Sequence, residues 1–121
     1  MYSQKVKELF SELPNRGVLA DATNVAKVEN PACGDITHLY LRVENGIVED
    51  CRFQTYGCPA AIAASAAVTL LCKDRKLSEC LLIDQETVLK FLGGLPSHKL
   101  HGADLAVEAL RTALKSEPRA R

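Results

Sequence analysis

The chain has 121 residues, of which 47% are apolar, so it is long enough to bury one core and should form a single folded domain. Its 15 basic and 15 acidic residues balance without a long run of either sign, which argues against a nucleic-acid binder and against a protein that binds anionic membranes. No apolar stretch reaches membrane-spanning length and the five cysteines lack the spacing of a disulfide framework, so we expect a cytoplasmic protein with reduced cysteines.

The first predicted element is an amphipathic helix over residues 3–13. Its apolar face consists of Val6, Leu9, Phe10 and Leu13. Residues 14–29 contain helix-ending residues and are predicted to form a loop. This loop leads into the sequence NPACGD, which places a cysteine, Cys33, two residues before an aspartate, Asp35.

Two alternating segments follow, at residues 36–43 and 47–56, and they predict antiparallel strands joined by a hairpin turn. A two-residue turn would place apolar residues of one strand opposite charged residues of the other. We therefore predict a three-residue turn over residues 44–46, with Gly46 in the left-handed region. The predicted pairs are Val43 with Ile47 and Leu39 with Cys51.

The predicted hairpin also brings two distant cysteines together. Extended beyond the strands, its register puts Cys33 opposite Gly57, one residue from Cys58. Two cysteines that are 25 positions apart in the sequence are therefore predicted neighbours.

The rest of the chain is predicted to be mainly helical. Pro59 suits the first position of a helix, and the alanine-rich run after it should be buried against the sheet. Asp84 is the predicted N-cap of a helix to Leu92. Further helices are predicted at about residues 77–82 and 102–114, with a loop at 95–100 and a flexible tail over about 115–121. The pattern predicts one α+β domain over residues 1–121.

Four side chains that can bind a metal are predicted to converge in this arrangement: Cys33, Asp35, Cys58 and His101. Cys58 precedes a predicted helix, whose positive N-terminal end favours a thiolate. His101 lies at the start of the last helix, where the same field favours the neutral imidazole that metals require. Two thiolates, an imidazole and a carboxylate suffice for tetrahedral zinc or for the protein ligands of a 2Fe-2S cluster.

Each of these residues also has an ordinary structural interpretation. A cysteine is often a small buried apolar residue, and Asp35 or His101 alone could form a turn or cap a helix. Nucleophilic catalysis by Cys58 with His101 is a further alternative, but it gives Cys33 no role. Three cysteines fit the structural interpretation best and are predicted to lie in the core: Cys51, Cys72 and Cys80.

Around these residues the sequence resembles the IscU/NifU N-terminal family of iron–sulfur cluster assembly scaffolds. The resemblance covers most of the chain, and its segments are NPACGD at residues 30–35, LYLRVENG at 39–46, YGCPAAIAAS at 56–65 and LPSHKLHGADLAVEAL at 95–110. NPACGD and YGCPAAIAAS, one on each side of a hairpin, make the resemblance highly specific.

The resemblance implies helices packed on one face of a small, mostly antiparallel sheet. It also implies a scaffold or carrier, not an enzyme, that receives sulfur from a cysteine desulfurase, assembles a labile 2Fe-2S cluster and transfers it to apo acceptor proteins. Cys33 and Cys58 match the first two cluster cysteines of the family, and Asp35 matches its aspartate. His101 matches the histidine before the third cysteine, and Lys99 matches the lysine two residues upstream of it.

The sequence departs from the family pattern immediately after that histidine. The family has a cysteine there, with a ligand role and a sulfur-accepting role, whereas this chain has Gly102. His101 or Asp35 would then have to complete the ligand set, and direct sulfur acceptance is left open. If residue 102 faces the metal, Gly102→Cys should supply the missing ligand and lengthen the life of a bound cluster. The chaperone-recognition segment of the family, which resembles LPPVK, is LPSHK here.

Three functional hypotheses follow from the sequence. The first is a scaffold or carrier for a labile 2Fe-2S cluster or its metal precursor. The second, which Gly102 favours, is a zinc-binding accessory module that docks to a cysteine desulfurase and modulates it or accepts its sulfur. The third is a cysteine-dependent transferase that uses Cys58. The native metal and the formation of a homo-oligomer are left open.

Overall fold

The computed structural model describes residues 2–119 of the chain. Its helices and strands, in chain order, are α1 (Gln4–Glu12), β1 (Asn24–Glu29), β2 (Ile36–Glu44), β3 (Ile47–Tyr56), α2 (Pro59–Cys72), α3 (Leu77–Cys80), α4 (Gln85–Leu92) and α5 (His101–Lys115). A short 3-10 turn at Ser97–Lys99 precedes α5. Within residues 2–119 no helix combines the length and the apolar composition that crossing a membrane requires.

The three strands form one antiparallel sheet in the order β1-β2-β3, so β2 is the central strand. Along each strand, inward-facing side chains alternate with outward-facing ones. The inward-facing side chains pack against α2 and α5, and these two helices also pack against each other. The architecture is therefore α+β with helices on one face of an antiparallel sheet, which confirms the predicted fold class.

The strand β1 is a correction, because the sequence predicted a loop there. Its buried face consists of Asn24, Ala26 and Val28, while Val25 lies on the more exposed face, so the apolar pattern does not alternate as a strand normally does. Asn24 is buried because its side-chain amide donates hydrogen bonds to the backbone carbonyls of Ala113 (3.0 Å) and Ser116 (3.3 Å) at the end of α5. A tertiary contact with the last helix thus accounts for the polar residue on the buried face of this strand.

The register of the second hairpin is also a correction. The turn has two residues, Asn45 and Gly46, both with positive φ, and Glu44 pairs with Ile47. A β-bulge at Glu49 then inserts one residue into β3, so the apolar faces still meet. The predicted pairs are wrong for this reason; the observed pairs are Val43 with Val48, Leu41 with Cys51 and Leu39 with Phe53.

The predicted boundaries of α2 and α4 are confirmed. Pro59 is the first residue of α2 and Cys58 is its N-cap. The carboxylate of Asp84 accepts a hydrogen bond from the backbone N–H of Thr87 (2.9 Å), which lowers the pKa of Asp84. Gly93 ends α4 in the left-handed conformation.

A chain of hydroxyl groups connects the sheet to α2. The Thr37 and Thr55 hydroxyls lie 3.1 Å apart on neighbouring strands, and the Thr55 and Ser65 hydroxyls lie 2.7 Å apart. Ser65 in turn donates a hydrogen bond to the Ala61 carbonyl (2.8 Å) in the first turns of α2. These contacts fix the start of α2 against the strands that lead to it.

The end of the chain that the structure describes is in contact with the sheet. The backbone N–H of Arg119 donates to the Thr23 carbonyl, 2.6 Å away. Residues 120 and 121 of the predicted tail lie outside the described residues, and the extent of the domain stays a prediction.

Candidate metal centre

The four predicted ligands come from three segments that meet at one end of the sheet. Cys33 and Asp35 lie in the loop between β1 and β2, and Cys58 follows β3 directly. Ile36 pairs with Tyr56, so the start of β2 and the end of β3 are adjacent. His101 begins α5, which packs against β1, β2 and α2. The sheet register and the placement of α5 together bring the four side chains into one region.

The loop that carries two of the ligands is closed by its own backbone hydrogen bonds. Asn30 N–H donates to the Asp35 carbonyl (2.8 Å) and Gly34 N–H donates to the Asn30 carbonyl (2.7 Å). The Asn30 side chain also accepts a hydrogen bond from the N–H of Ala32 (3.0 Å). Asp35, directly before the central strand β2, is buried at the end of the sheet, whereas Cys33 is exposed at the tip of the loop.

The donor atoms of the four residues lie close together. The Asp35 carboxylate is 3.6 Å from His101 Nε2 and 3.7 Å from Cys58 Sγ, whose thiol donates to it. Cys58 Sγ is 4.0 Å from His101 Nε2. Donor atoms of Cys33, Asp35 and His101 also lie within 4.8 Å of one another. Asp35 and His101 are therefore common to both groups, which differ in the cysteine that each contains.

These separations fit a metal ion. Ligand atoms about 2.0–2.3 Å from a tetrahedral zinc lie about 3.3–3.8 Å from each other. The separations of 3.6 and 3.7 Å lie within that range, and the 4.0 Å between Cys58 Sγ and His101 Nε2 is slightly longer. Thiolate and imidazole donors suit zinc and iron–sulfur centres, and the carboxylate adds a harder donor. That these residues hold a metal stays a prediction, but the donor set has the chemistry and the geometry to do so.

An open cavity of about 270 Å³ adjoins His101. Three acidic residues line it, Glu29 from β1 and Asp104 and Glu108 from α5. Asp104 also accepts a hydrogen bond from the side chain of Gln85 (2.8 Å). Negative charge around an opening attracts cations, so this side of the site favours the approach of a metal ion.

Gly102 lies in close contact with the start of α2, the helix whose N-cap is Cys58. A Cβ at this position would lie 2.9 Å from the Ala60 carbonyl carbon and from the Ala61 nitrogen, in the backbone of α2. Any side chain at this position therefore requires the starts of α5 and α2 to shift slightly, and the expectation that Gly102→Cys supplies the missing ligand stays a prediction. Lys99 is half-buried in the 3-10 turn before His101, and its predicted role as a partner contact stays a prediction.

Gly57 also belongs to this site. In the sequence, only its place directly before Cys58 indicated this. A Cβ on Gly57 would lie 2.5 Å from both Cγ and Oδ1 of Asp35. The carboxylate thus occupies the space that a side chain at residue 57 would fill. Only the three-dimensional contact between the loop and the end of β3 shows this.

The other three cysteines lie in the core, which confirms that prediction. Cys51, Cys72 and Cys80 are fully buried, and the sulfur atoms of Cys51 and Cys72 are 3.3 Å apart. The hydrogen bond with Cys51 raises the pKa of the Cys72 thiol, and the hydrogen bond with Cys72 raises that of Cys80. The thiols of Cys72 and Cys80 are therefore protonated and poor ligands in the folded protein.

We expect alkylation to separate the two groups of cysteines. Iodoacetamide should modify Cys33 and Cys58 in the native, metal-free protein, since Cys33 is exposed and Cys58 is half-buried. The three core cysteines should react at least about a hundredfold more slowly, because they require the protein to open. Peptide mass spectrometry after timed labelling measures both rates, and the same reaction in denaturant is the control. Rapid native labelling of Cys72 would contradict the described core.

Fold and site together define a small α+β domain with a candidate metal centre, and known proteins share its sequence and architecture. Residues 1–120 match the family model of the NifU-like N-terminal domain. The chain is 44% identical over 114 residues to iron–sulfur cluster assembly scaffold protein IscU 1 of Archaeoglobus fulgidus, which covers 94% of this chain and 74% of that protein. It is 40% identical over 116 residues to the scaffold protein IscU of Aquifex aeolicus, with the same coverage.

The chain belongs to the NifU-like N-terminal domain family, which confirms the resemblance. A solved structure supports the same fold: the N-terminal part of a NifU-like protein from Brucella abortus has a TM-score of 0.79. It is 17% identical in sequence, and the match covers 93% of this chain and 91% of that one.

Proposed function

We propose that this protein is an iron–sulfur cluster assembly scaffold or carrier, which binds a labile 2Fe-2S cluster or its metal precursor and transfers it to apo acceptor proteins. The observation that carries the proposal is the convergence of Cys33, Asp35, Cys58 and His101 at one end of the sheet, in a chain of this family. The cluster is cargo, so the protein acts as a binding protein without turning over a substrate of its own.

The mixed donor set suits a cargo that must leave again. Cys33 and Cys58 supply soft thiolates that bind iron firmly, whereas a carboxylate is a hard donor that exchanges more readily. Cys33 lies at an exposed loop tip and about a third of the His101 side chain is exposed (31%), so an acceptor thiol can approach from solvent. Cys58 would therefore retain the cluster, while an acceptor thiol replaces ligands on the exposed side, so that the cluster can be released.

The partners belong to the same proposal. A cysteine desulfurase would supply the sulfur, and a cytoplasmic location would place the protein where its thiols stay reduced. Because residue 102 is glycine, sulfur would have to be accepted by one of the two cysteines at the site. The zinc-binding accessory module is the alternative outcome, since zinc accepts the same donors, but family membership favours the scaffold.

Anaerobic purification followed by reconstitution tests the proposal. The protein, incubated with ferric iron and sulfide and desalted, should become brown and contain iron and acid-labile sulfide in equal amounts. Mixing it with an apo 2Fe-2S acceptor protein should then transfer the absorbance to the acceptor. The control is the acceptor with free iron and sulfide at the same concentrations. A colourless protein that retains stoichiometric zinc and forms no cluster would instead support the accessory module.

A further inference from the structure

The two edges of the sheet differ in what covers them. At the β3 edge, backbone hydrogen bonds tie the strand to two other segments: Gly17 N–H donates to the Phe53 carbonyl (2.8 Å), and Val48 N–H donates to the Arg75 carbonyl (2.9 Å). At the opposite edge, β1 pairs only with β2 among the described residues. The unpaired backbone groups of an open edge can bind a further strand, so proteins usually cover such an edge. The β1 edge is therefore a candidate interaction surface.

The outward backbone groups of β1 belong to Val25, Lys27 and Glu29. Asn30 N–H donates to the Asp35 carbonyl (2.8 Å), and these two residues continue the β1–β2 register. Hydrogen-bonded pairs alternate along an antiparallel ladder, so every second residue before Asn30 turns its N–H and C=O toward β2. The residues between them turn theirs away from the sheet, where they form no backbone hydrogen bond within residues 2–119. The edge thus offers both donors and acceptors to a strand.

This edge is accessible, and a backbone segment already binds at its start. Val25 is half-buried, whereas Lys27 and Glu29 are exposed. Directly before β1, the Thr23 carbonyl accepts a hydrogen bond from the backbone N–H of Arg119 (2.6 Å), in the non-helical segment after α5. The outward groups that follow Thr23 along β1 can bind another segment in the same way.

The end of β1 that leads to the metal centre borders the acidic cavity beside His101. Glu29 lines this cavity from β1, and Asp104 and Glu108 line it from α5. None of these three carboxylates forms an ion pair with a described residue. They also do not form a site for one metal ion, since the group of donors close enough for an ion, among the same residues, is that of the candidate metal centre. Carboxylates spread along a groove can instead each face a basic side chain.

The surroundings of the edge favour an extended segment over a second copy of the chain. Because α5 packs against β1, two copies joined edge to edge would bring their α5 helices close together. Paired strands lie about 4.8 Å apart, whereas packed helices need about 8–10 Å between their axes. A segment without a helix avoids this conflict and can lie between β1 and the carboxylates of α5.

We propose that the open edge of β1 is a docking site for an extended basic segment of a protein partner, which adds to the sheet as a fourth strand. The outward backbone groups bind the segment, and its lysine or arginine side chains face Glu29, Asp104 and Glu108. The docked segment lies beside His101. The inference rests on the proposed function in one respect, namely that the docked partner exchanges cargo with the metal centre.

Hydrogen exchange of the metal-free protein tests the open edge and its occupant. In the free protein, the amide protons of Val25, Lys27 and Glu29 should exchange at least about tenfold faster than those of Ala26 and Val28, which bind β2. The probe is a synthetic eight-residue peptide of alternating lysine and valine, whose addition should slow exchange at the three outward amides. A peptide that does not bind, or binds without protecting them, would overturn the proposal.

Two matched peptides separate strand addition from charge attraction. A peptide methylated at every backbone nitrogen keeps its charges but has no N–H donor, so it should not bind measurably. A peptide with glutamate in place of lysine keeps the backbone donors and should not bind either, because its charge matches that of the cavity. Equal binding by the methylated peptide would exclude strand addition, and equal binding by the acidic peptide would exclude a basic occupant.

Lys27→Pro and Lys27→Ala form the matched pair in the protein. Both remove the lysine side chain, but only proline removes the outward N–H, and neither removes a hydrogen bond to β2. We expect Lys27→Pro to bind the peptide about two- to tenfold more weakly than Lys27→Ala, the effect of about one hydrogen bond. Equal affinity of two folded variants would show that the peptide does not use this edge.

The carboxylates give an independent test should Lys27→Pro fail to fold. Glu29→Gln and Glu108→Gln should each weaken peptide binding about two- to fivefold, as expected for exposed ion pairs. Glu8→Gln, which removes an exposed charge from α1, is the control and should bind as the wild type does. Equal losses in all three variants would mean that overall charge, and not this cavity, attracts the peptide.

Sedimentation of the wild-type protein without peptide tests the other occupant. Dimers in which the outward amides of β1 are protected would show that the edge binds a second copy, and would overturn the proposal. None of these measurements needs a metal. Peptide binding by a protein that assembles no cluster would contradict the proposed function alone, whereas cluster assembly by a protein that binds no peptide would contradict only the present inference.

Discussion

Cys58→Ser is expected to abolish stoichiometric binding of zinc and of an iron–sulfur cluster. A serine hydroxyl does not replace a thiolate at a soft metal site. The Cys58 thiol also contacts both Asp35 and His101, so its loss removes a contact with each of these two residues. We expect zinc affinity to fall at least about a hundredfold, which corresponds to about 2.7 kcal/mol. Cys33→Ser should have a similar effect.

Cys80→Ala is the matched control for this experiment. It also removes one thiol, but from the buried core, where Cys80 donates a hydrogen bond to the Cys72 carbonyl (3.5 Å). It should lower stability and leave metal binding unchanged, and Cys72→Ala should do the same. The measurement is metal and sulfide content after gel filtration, with a competing chelator for the affinity. Full metal occupancy in Cys58→Ser would exclude the proposed site.

Asp35→Ala is expected to have opposite effects on a cluster and on zinc. The carboxylate adds negative charge to a site with two thiolates, which weakens the retention of an anionic cluster. Its removal should slow cluster loss about fivefold, or about 1 kcal/mol, provided that His101 or a small added thiol takes the free position. Zinc gains from each anionic ligand, so zinc binding should weaken about tenfold.

Asp35→Asn separates the charge of this residue from its size. The amide fills the same space beside Gly57 but carries no charge, so slower cluster loss in both variants would assign the effect to charge. The decay of cluster absorbance in air-free buffer and zinc competition are measured side by side for the three proteins. Faster cluster loss in Asp35→Ala would contradict the release role and make Asp35 a permanent ligand.

The parts of the fold that the sequence predicted are those with strong local signals. Pro59 fixes the first turn of α2, and Asp84 together with Gly93 bounds α4, so both helices agree with the structure. The strand β1 could not be predicted, because Asn24 points inward to bind the end of α5, a contact between residues 89 positions apart. A partner that distant leaves no trace in a local pattern.

The hairpin shows how one error in register can leave the site prediction almost unchanged. Asn45 and Gly46 form the shorter turn, and the bulge at Glu49 restores the match of the apolar faces. Ile36 pairs with Tyr56, so the segments that carry Cys33 and Cys58 lie at the same end of the sheet in either register. The close contact between Gly57 and the Asp35 carboxylate, by contrast, depends on loop packing at the scale of one methyl group, which a sequence pattern does not contain.

The convergence of three chain segments on one set of donor atoms has a thermodynamic consequence. A metal bound there acts as a cross-link between the β1–β2 loop, the start of α2 and the start of α5, and it stabilises the state in which they meet. At a free metal concentration one hundred times the dissociation constant, this linkage amounts to about 2.7 kcal/mol. The empty protein should therefore open these segments far more often than the loaded one. An acceptor or a sulfur donor could then distinguish the two forms by their rigidity, before it contacts the cargo itself.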